Sequence, residues 1–411
     1  MSAYILHAPV SLSGTVALPP SKSLSARALI INWLAGGKLM PDNLSDCDDT
    51  FVMRRALEHP TEVTDIMAAG TAMRFLTAAF AVSSGEKLLT GTPRMLHRPI
   101  GVLVDALRSM GAQIDYAGET GFPPLRVKGR RLEGGCVEMD GHVSSQYTSA
   151  LLMIGPMMAN GLHLKLKGTV VSRPHIDMTL QLMHHFGAEA KWTSKSELEV
   201  KPIAYTPRPY TVENDWSAAS YWYEAVALCR DSQACLALPG LHVDSLQGDA
   251  KVQQLFQPLG VETKLVNGRH YIYKGRVTTH RYEVNLEEQP DLAQTVAVTC
   301  AMLGVPFSIT GLQSLRIKET DRLAALKSEL LKLGRDITIV GDDTLRWDGH
   351  TGCGMTDPSI DTYDDHRMAL AFAPCACCIP RLTINYPEVV TKSYPNYWND
   401  LRQKGFNIEE R

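Results

Sequence analysis

The chain has 411 residues, room for two or three domains, with 45% hydrophobic and 21% charged residues, so disordered and low-complexity classes are excluded. Lys and Arg number 41 against 44 Asp and Glu, and a net charge of −3 provides no global basic field for nucleic acid. The longest apolar run, Met368 to Ile379, is too short to span a bilayer and contains Pro374, and no Lys or Arg precedes Lys22, so neither a membrane span nor a secretory leader is expected.

In chain order, the first predicted helix opens at Ser21-Lys22-Ser23 and carries an apolar stripe of Leu24, Ala28, Ile31 and Leu34. A second, Asp49 to Glu58, stops at His59-Pro60. Five later helices are each predicted to end at a glycine, Gly111, Gly187, Gly260, Gly334 and Gly405, spaced 76, 73, 74 and 71 residues apart. Glycine adopts the left-handed conformation that terminates a helix without a Cβ penalty. A second series opens apolar helices near Lys22, Thr71, Ser145, Trp216, Asp291 and His366, at spacings of 49, 74, 71, 75 and 75. Two independent series with nearly one period predict six repeated units, each of two helices and several short strands, the first one shortened. Alternating stretches such as Glu197–Lys201 and Asp336–Val340 supply the strands, so the expected class is α/β. Six units exceed one core, which suggests two groups of three. Nine cysteines are scattered without paired C-x-x-C units at zinc spacing. The expectation is reduced thiols in a cytoplasmic protein, with Cys375, Cys377 and Cys378 packed as small hydrophobes and no metal bound.

The helix openings carry the chemistry. A helix N-terminus has partial positive charge and unpaired N–H groups, so it disfavours Lys and Arg. Here Lys22 and Arg27, Arg74, Lys318 with Arg322, and Arg367 all stand at or near predicted helix starts. Each alone reads first as a solvated surface cation, but a bound phosphate or carboxylate would turn all of them favourable at once. Ser144-Ser145-Gln146, in the same register, adds uncharged donors or a plain N-cap.

These residues, in order along nearly the whole chain, resemble the enolpyruvyl transferase family, in the branch that acts on 3-phosphoshikimate. The segments are Pro20-Ser21-Lys22-Ser23 with Arg27, Ala69–Arg74, Pro93-Arg94-Met95 with Arg98–Gly101, Ser144–Gln146, Ser172-Arg173-Pro174, Pro290-Asp291, Arg316–Arg322, Asp364–Ala369 and Lys392–Pro395. The Lys-Glu-Thr-Asp-Arg and Asp-His-Arg-Met-Ala runs are the most specific. The resemblance implies a two-lobed inside-out α/β barrel, each lobe of three repeats with helices inside and sheets outside. It places residues 1–18 plus 214–411 in one lobe and 19–213 in the other, with the active site in the cleft between them.

The implied reaction moves the carboxyvinyl group of phosphoenolpyruvate to the 5-hydroxyl of 3-phosphoshikimate, releasing phosphate through a tetrahedral intermediate. It is a step of the shikimate pathway to chorismate and the aromatic amino acids. No metal or organic cofactor is implied, and a cytoplasmic monomer without nucleic-acid or membrane partners is expected. Matched position by position, Lys22, Ser23, Arg27, Ser144, Ser145, Gln146, Ser172, Asp291 and Lys318 would hold 3-phosphoshikimate. Lys22, Gly70, Arg98, Gln146, Arg322, Arg367 and Lys392 would hold phosphoenolpyruvate, Gly70 by letting the ligand approach the backbone. Glu319 would exchange the proton at the methylene carbon and Asp291 would serve the hydroxyl, with Lys22 between both ligands. Read without the motifs, Glu319 is an i, i+3 partner of Arg322 and Asp291 an N-cap after Pro290. Departures from the family pattern are Ala68, Phe75, His175 and Ser314, the last too short for an expected direct contact with the substrate ring.

The sister branch, which uses UDP-N-acetylglucosamine, usually has a loop Cys and Lys-Asn near the start. Here Gly91 to Arg98 contains no Cys and Ser23 follows Lys22. A non-catalytic repeat scaffold is the other alternative, but it has no need of cations at several helix starts.

Overall fold

A computed structural model describes residues 2–142 and 144–411. The chain divides into two compact units, the residues up to Pro19 with Glu213–Arg411, and Pro20–Val212. Each unit has its own apolar core.

Five four-stranded sheets share one topology among the described residues. In chain order the four strands of a repeat are a, b, c and d; a runs parallel to b, b antiparallel to d, and d antiparallel to c. In the unit Pro20–Val212, Val63–Asp65 pairs with Glu86–Thr90, which pairs with Leu125–Lys128, which pairs with Gln113–Tyr116. Its other sheet, from Gly135–Asp140 to Glu197–Val200, repeats the pattern. The other unit holds three such sheets, and two of them are completed from the N-terminus. Ala3–His7 is the d strand beside Leu382–Asn385 and Asn407–Glu410. Ser13–Thr15 is the a strand beside Cys235–Leu238.

In each repeat a helix leads into b and a second helical stretch joins b to c; between the a strand Ser13–Thr15 and the helix that leads into Cys235–Leu238, the chain first runs through Pro20–Val212. The first class is buried nearly all round. Helix Gly70–Ala81 buries 11 of its 12 residues, and Trp216–Leu228 buries all but Ser217. Helix Lys22–Leu34 likewise buries Leu24 through Asn32 without a break, so the single stripe expected from Leu24, Ala28, Ile31 and Leu34 is corrected to a central helix. The second class is amphipathic: Gly101–Ser109 buries Leu103, Val104, Ala106 and Leu107 only. Strands alternate, as Leu162–Lys167 does, with one face buried. Within each unit the helices therefore lie inside and the sheets outside.

The helix-ending glycines all have left-handed φ, from 77° at Gly334 to 96° at Gly111, so the punctuation read from the sequence is the physical one. The first repeat departs from expectation. Helices Lys22–Leu34 and Asp48–Glu58 are present, but among the described residues this stretch contributes no strand to any sheet. Among the described residues its connection from Ala35 to Cys47 holds only an isolated bridge, Asp42 to Thr211. Cys375 and Cys377 lie in the apolar core, where burial pushes their thiols up and away from the thiolate a metal requires. No described group of three or more His, Cys, Asp and Glu could hold a metal ion, and no described helix is long and apolar enough to cross a membrane.

Candidate active site

In the unit Pro20–Val212, the helix starts are linked by polar side chains from distant repeats. Ser21 caps helix Lys22–Leu34 by accepting from the Leu24 N–H. Lys22 Nζ lies 3.4 Å from Asp49 Oδ2, both largely buried. Arg27, 2% exposed, is surrounded by neutral oxygens. It donates to Thr179 Oγ1 (2.7 Å), the Ser23 carbonyl (2.9 Å), Ser149 Oγ (3.2 Å) and the His175 carbonyl (3.3 Å). Its guanidinium also lies 5.4 Å from the Phe75 ring centre. Burial pulls its pKa down to about 10, which still leaves it protonated at neutral pH. The acceptors come from helices Ser145–Ile154 and Arg173–His185, so Arg27 ties three helix starts together.

Gln146 Nε2 donates to Thr71 Oγ1 (3.0 Å), joining two further starts, while Ser144 caps its helix through the Gln146 N–H. Ser145 is buried and Ser23 half-buried. Ser172 is a buried, left-handed N-cap with φ of 53°, a conformation an L-residue adopts only when its surroundings hold it. Arg98 is 8% exposed, and its Nε is buried without a hydrogen-bond partner. Its guanidinium packs on Gly70, where a Cβ would stand 2.5 Å from Nη1. The close approach that Gly70 permits is thus realised by Arg98 itself. Arg74, by contrast, is structural: it donates to the Gly70 and Pro99 carbonyls, both at 3.1 Å.

The other unit gathers a different set. Arg322 is 1% exposed and opens helix Arg322–Lys332. It grips Asp365 through Nε (2.7 Å) and Nη2 (3.2 Å), and reaches Glu319 Oε2 (2.9 Å) and Asp291 Oδ1 (3.3 Å). Burial works to lower its pKa, but the carboxylates of Asp365, Glu319 and Asp291 outweigh burial and raise it. Arg367 pairs with Asp291 Oδ2 (3.0 Å) and donates to the Tyr221 hydroxyl (3.0 Å). Lys392 lies 3.5 Å from Glu319 Oε1. Three cations and three carboxylates from two repeats form one network.

Behind it, Asp249 is 6% exposed and accepts from Ser217 Oγ at 2.5 Å. Burial, with the charge of Asp291 next in weight, pushes its pKa up to about 7. Burial likewise pushes Tyr221 up to about 12.

Two local readings change. The helix after Lys318 begins at Arg322, not at Lys318. Asp321 is its N-cap, accepting from the Leu323 and Ala324 N–H groups at 3.1 and 3.2 Å, so Lys318 and Glu319 stand in the preceding link. Asp291 lies in the 3-10 turn Pro290–Leu292 and its carboxylate goes to Arg322 and Arg367, so it is no N-cap. Lys318 is half-buried, as is Ser314 in the turn Gln313–Ile317. Four participants were missed from sequence: Asp49, Thr71, Asp249 and Asp365. Asp365 had a signal, a carboxylate one residue before a helix, because it caps that helix through the Arg367 N–H (2.9 Å).

Fold and site together define a two-unit α/β repeat protein that gathers cations and carboxylates at helix starts. The sequence model of EPSP synthase (3-phosphoshikimate 1-carboxyvinyltransferase) matches residues 54–401. The 3-phosphoshikimate 1-carboxyvinyltransferase of Bacteroides fragilis is 53% identical over 406 residues, covering 99% of this chain and 98% of that protein. That of Photobacterium damsela subsp. piscicida is 37% identical over 424 residues, covering 96% and 98%. The EPSP synthase structure from Acinetobacter baumannii superposes with a TM-score of 0.78 at 20% identity, covering 100% of this chain and 99% of that one. The chain belongs to the EPSP synthase family.

Proposed function

We propose that this chain is a transferase that moves the carboxyvinyl group of phosphoenolpyruvate to the 5-hydroxyl of 3-phosphoshikimate, in the shikimate route to the aromatic amino acids. The observation that carries the reading is the network on Arg322, in which buried cations are held by carboxylates suited to proton transfer. The family relatives carry this activity in their names, which favours it over transfer to UDP-N-acetylglucosamine and over a non-catalytic scaffold.

In this reading Ser23, Arg27, Ser144, Ser145, Gln146, Ser172 and Lys318 hold 3-phosphoshikimate. Arg98, Arg322, Arg367 and Lys392, with Gly70 and Gln146, hold phosphoenolpyruvate, and Lys22 serves both. Each phosphate ester carries about −1.5 to −2 and each carboxylate about −1, so the pair brings roughly −5 to −6. The uncompensated charge on Arg98 and Arg27 meets part of it.

A phosphoenolpyruvate anion placed against Arg322, Arg367 and Lys392 competes with Glu319 and Asp291 for the same cations. Relieved of part of its cationic surroundings and set beside new negative charge, Glu319 gains affinity for a proton, which it can deliver to the methylene carbon. Asp291 receives the proton of the 5-hydroxyl as the C–O bond forms. Return of the methyl proton to Glu319 and departure of phosphate restore the vinyl group. The enzyme acts, in this reading, as a cytoplasmic monomer on two small molecules, with no nucleic-acid or membrane partner.

The test is phosphate release on mixing the protein with both substrates, together with calorimetric titration of phosphoenolpyruvate with and without 3-phosphoshikimate. Release that needs both substrates, and tighter phosphoenolpyruvate binding when the partner is present, are expected. No release with the pair would overturn the reading.

A further inference from the structure

Among the described residues, Tyr363 and Asp364 are the one consecutive pair of non-glycine residues in the left-handed region, each with φ of 55°. Such backbone persists only when its surroundings hold it. The pair lies in the strap Asp361–Asp365 that leads into helix His366–Phe372 and so to Arg367.

Both ends of this strap are tied to one helix, Arg322–Lys332. At the far end Arg322 grips Asp365 with two hydrogen bonds, 2.7 and 3.2 Å. At the near end, two turns along the same helix, Glu329 is fully buried. Its Oε1 accepts from the Tyr363 hydroxyl (2.6 Å) and its Oε2 from the Asp361 N–H (3.0 Å). Lys332 closes the near end, 2.7 Å from Glu329 and 2.9 Å from Asp361, whose other oxygen accepts from Asn385 (2.7 Å). A buried carboxylate with this many bonds spent on one strap is costly unless it fixes something.

We propose that Glu329 and Tyr363 are positioning residues for phosphoenolpyruvate binding: their hydrogen bond holds the left-handed pair, and the held strap sets Asp365 and Arg367. This rests on the assignment of Arg322 and Arg367 to phosphoenolpyruvate. Loosening the strap moves those two groups first; of the side chains assigned to 3-phosphoshikimate, Asp291, paired with both, and Lys318 share their unit, whereas Ser23, Arg27, Ser144, Ser145, Gln146 and Ser172 lie in the other one. The signature is therefore a rise in the KM for phosphoenolpyruvate without a comparable loss of 3-phosphoshikimate affinity.

The experiment compares Tyr363→Phe, which removes only the hydroxyl, with Arg367→Lys as the benchmark. Tyr363→Phe is expected to raise the KM for phosphoenolpyruvate on the order of tenfold with a smaller fall in kcat, and to leave the calorimetric Kd of 3-phosphoshikimate nearly unchanged. Adding Asp364→Gly, at an exposed position, should recover part of the loss, because glycine occupies left-handed backbone without strain. A general loss of packing would not respond to that change. Should Tyr363→Phe fail to fold, Glu329→Gln is read out in the same way. The proposal is overturned if both substrates weaken together, if Asp364→Gly restores nothing, or if phosphoenolpyruvate binding is unmoved while Arg367→Lys weakens it. If Arg367→Lys itself leaves that KM unchanged, the underlying assignment fails and the proposal falls with it.

Discussion

Arg27 and Arg322 are both buried guanidinium groups near the start of a helix, yet they are held in opposite ways. Neutral hydroxyls and carbonyls surround Arg27, and its positive charge is left over. Three carboxylates surround Arg322, and its charge is spent several times. In the proposed reading the first arrangement would receive an anion that never changes its charge. The second would keep acids and cations in balance until an arriving anion upsets it, which is what a proton-transfer step needs. One repeated scaffold would then carry a binding half and a chemical half, distinguished by how each buried arginine is held.

The comparison can be broken by substitution, and the largest effect is expected at the acid. Glu319→Gln should cut turnover by about 10²-fold or more, with both substrates still bound, as measured by phosphate release and calorimetry. Turnover close to that of the parent would remove Glu319 from the proton path. Next comes the way the two arginines are held. Asp365→Asn leaves Arg322 short of a buried counter-charge and should cost about 3–5 kcal/mol in denaturant unfolding. Ser149→Ala beside Arg27 should cost only about 1 kcal/mol, and equal costs would erase the distinction between the two environments.

Arg27→Ala sharpens the binding half. It should weaken 3-phosphoshikimate by roughly 1.5–3 kcal/mol, the worth of hydrogen bonds to a charged group, and leave phosphoenolpyruvate affinity nearly untouched. An unaltered Kd for 3-phosphoshikimate would show that the leftover charge serves packing alone.

The smallest effect concerns Asp249. Its pKa, raised by burial to about 7, makes it neutral in acid, so its contribution to stability is complete below the ordinary carboxylate range and fades as pH climbs towards 7. Above that point its charge joins Asp291 and opposes an incoming anion. The KM for phosphoenolpyruvate should therefore rise a few-fold between pH 6 and 8, and Asp249→Asn should flatten that rise; an unflattened profile would assign the titration to another group.

Much of this was legible in the chain. The helix-ending glycines and the polar helix openings marked the repeats because both report local backbone needs, a left-handed C′ residue and unpaired N–H groups. The cations at those openings were visible as breaches of the dipole rule. Arg74 was visible in the same way and proved to be a structural brace on the Gly70 and Pro99 carbonyls. Charge at a helix start does not say which way a side chain turns. The missing sheet of the first repeat was legible only as a shortened spacing, and Asp249 left no sign, since nothing local distinguishes a buried aspartate from a surface one.

What the sequence determined by itself is everything within the reach of a turn or a cap: where helices stop, which residue types stand at their starts, and the period that repeats them. Tertiary structure alone decided that Ala3–His7 completes a sheet with Leu382–Asn385, that Arg27 meets Thr179 across 152 positions, and that Arg322 meets Asp365. The reason is range. Backbone preference acts over a few residues, whereas a buried charge takes its character from whichever distant oxygen atoms the packing places around it.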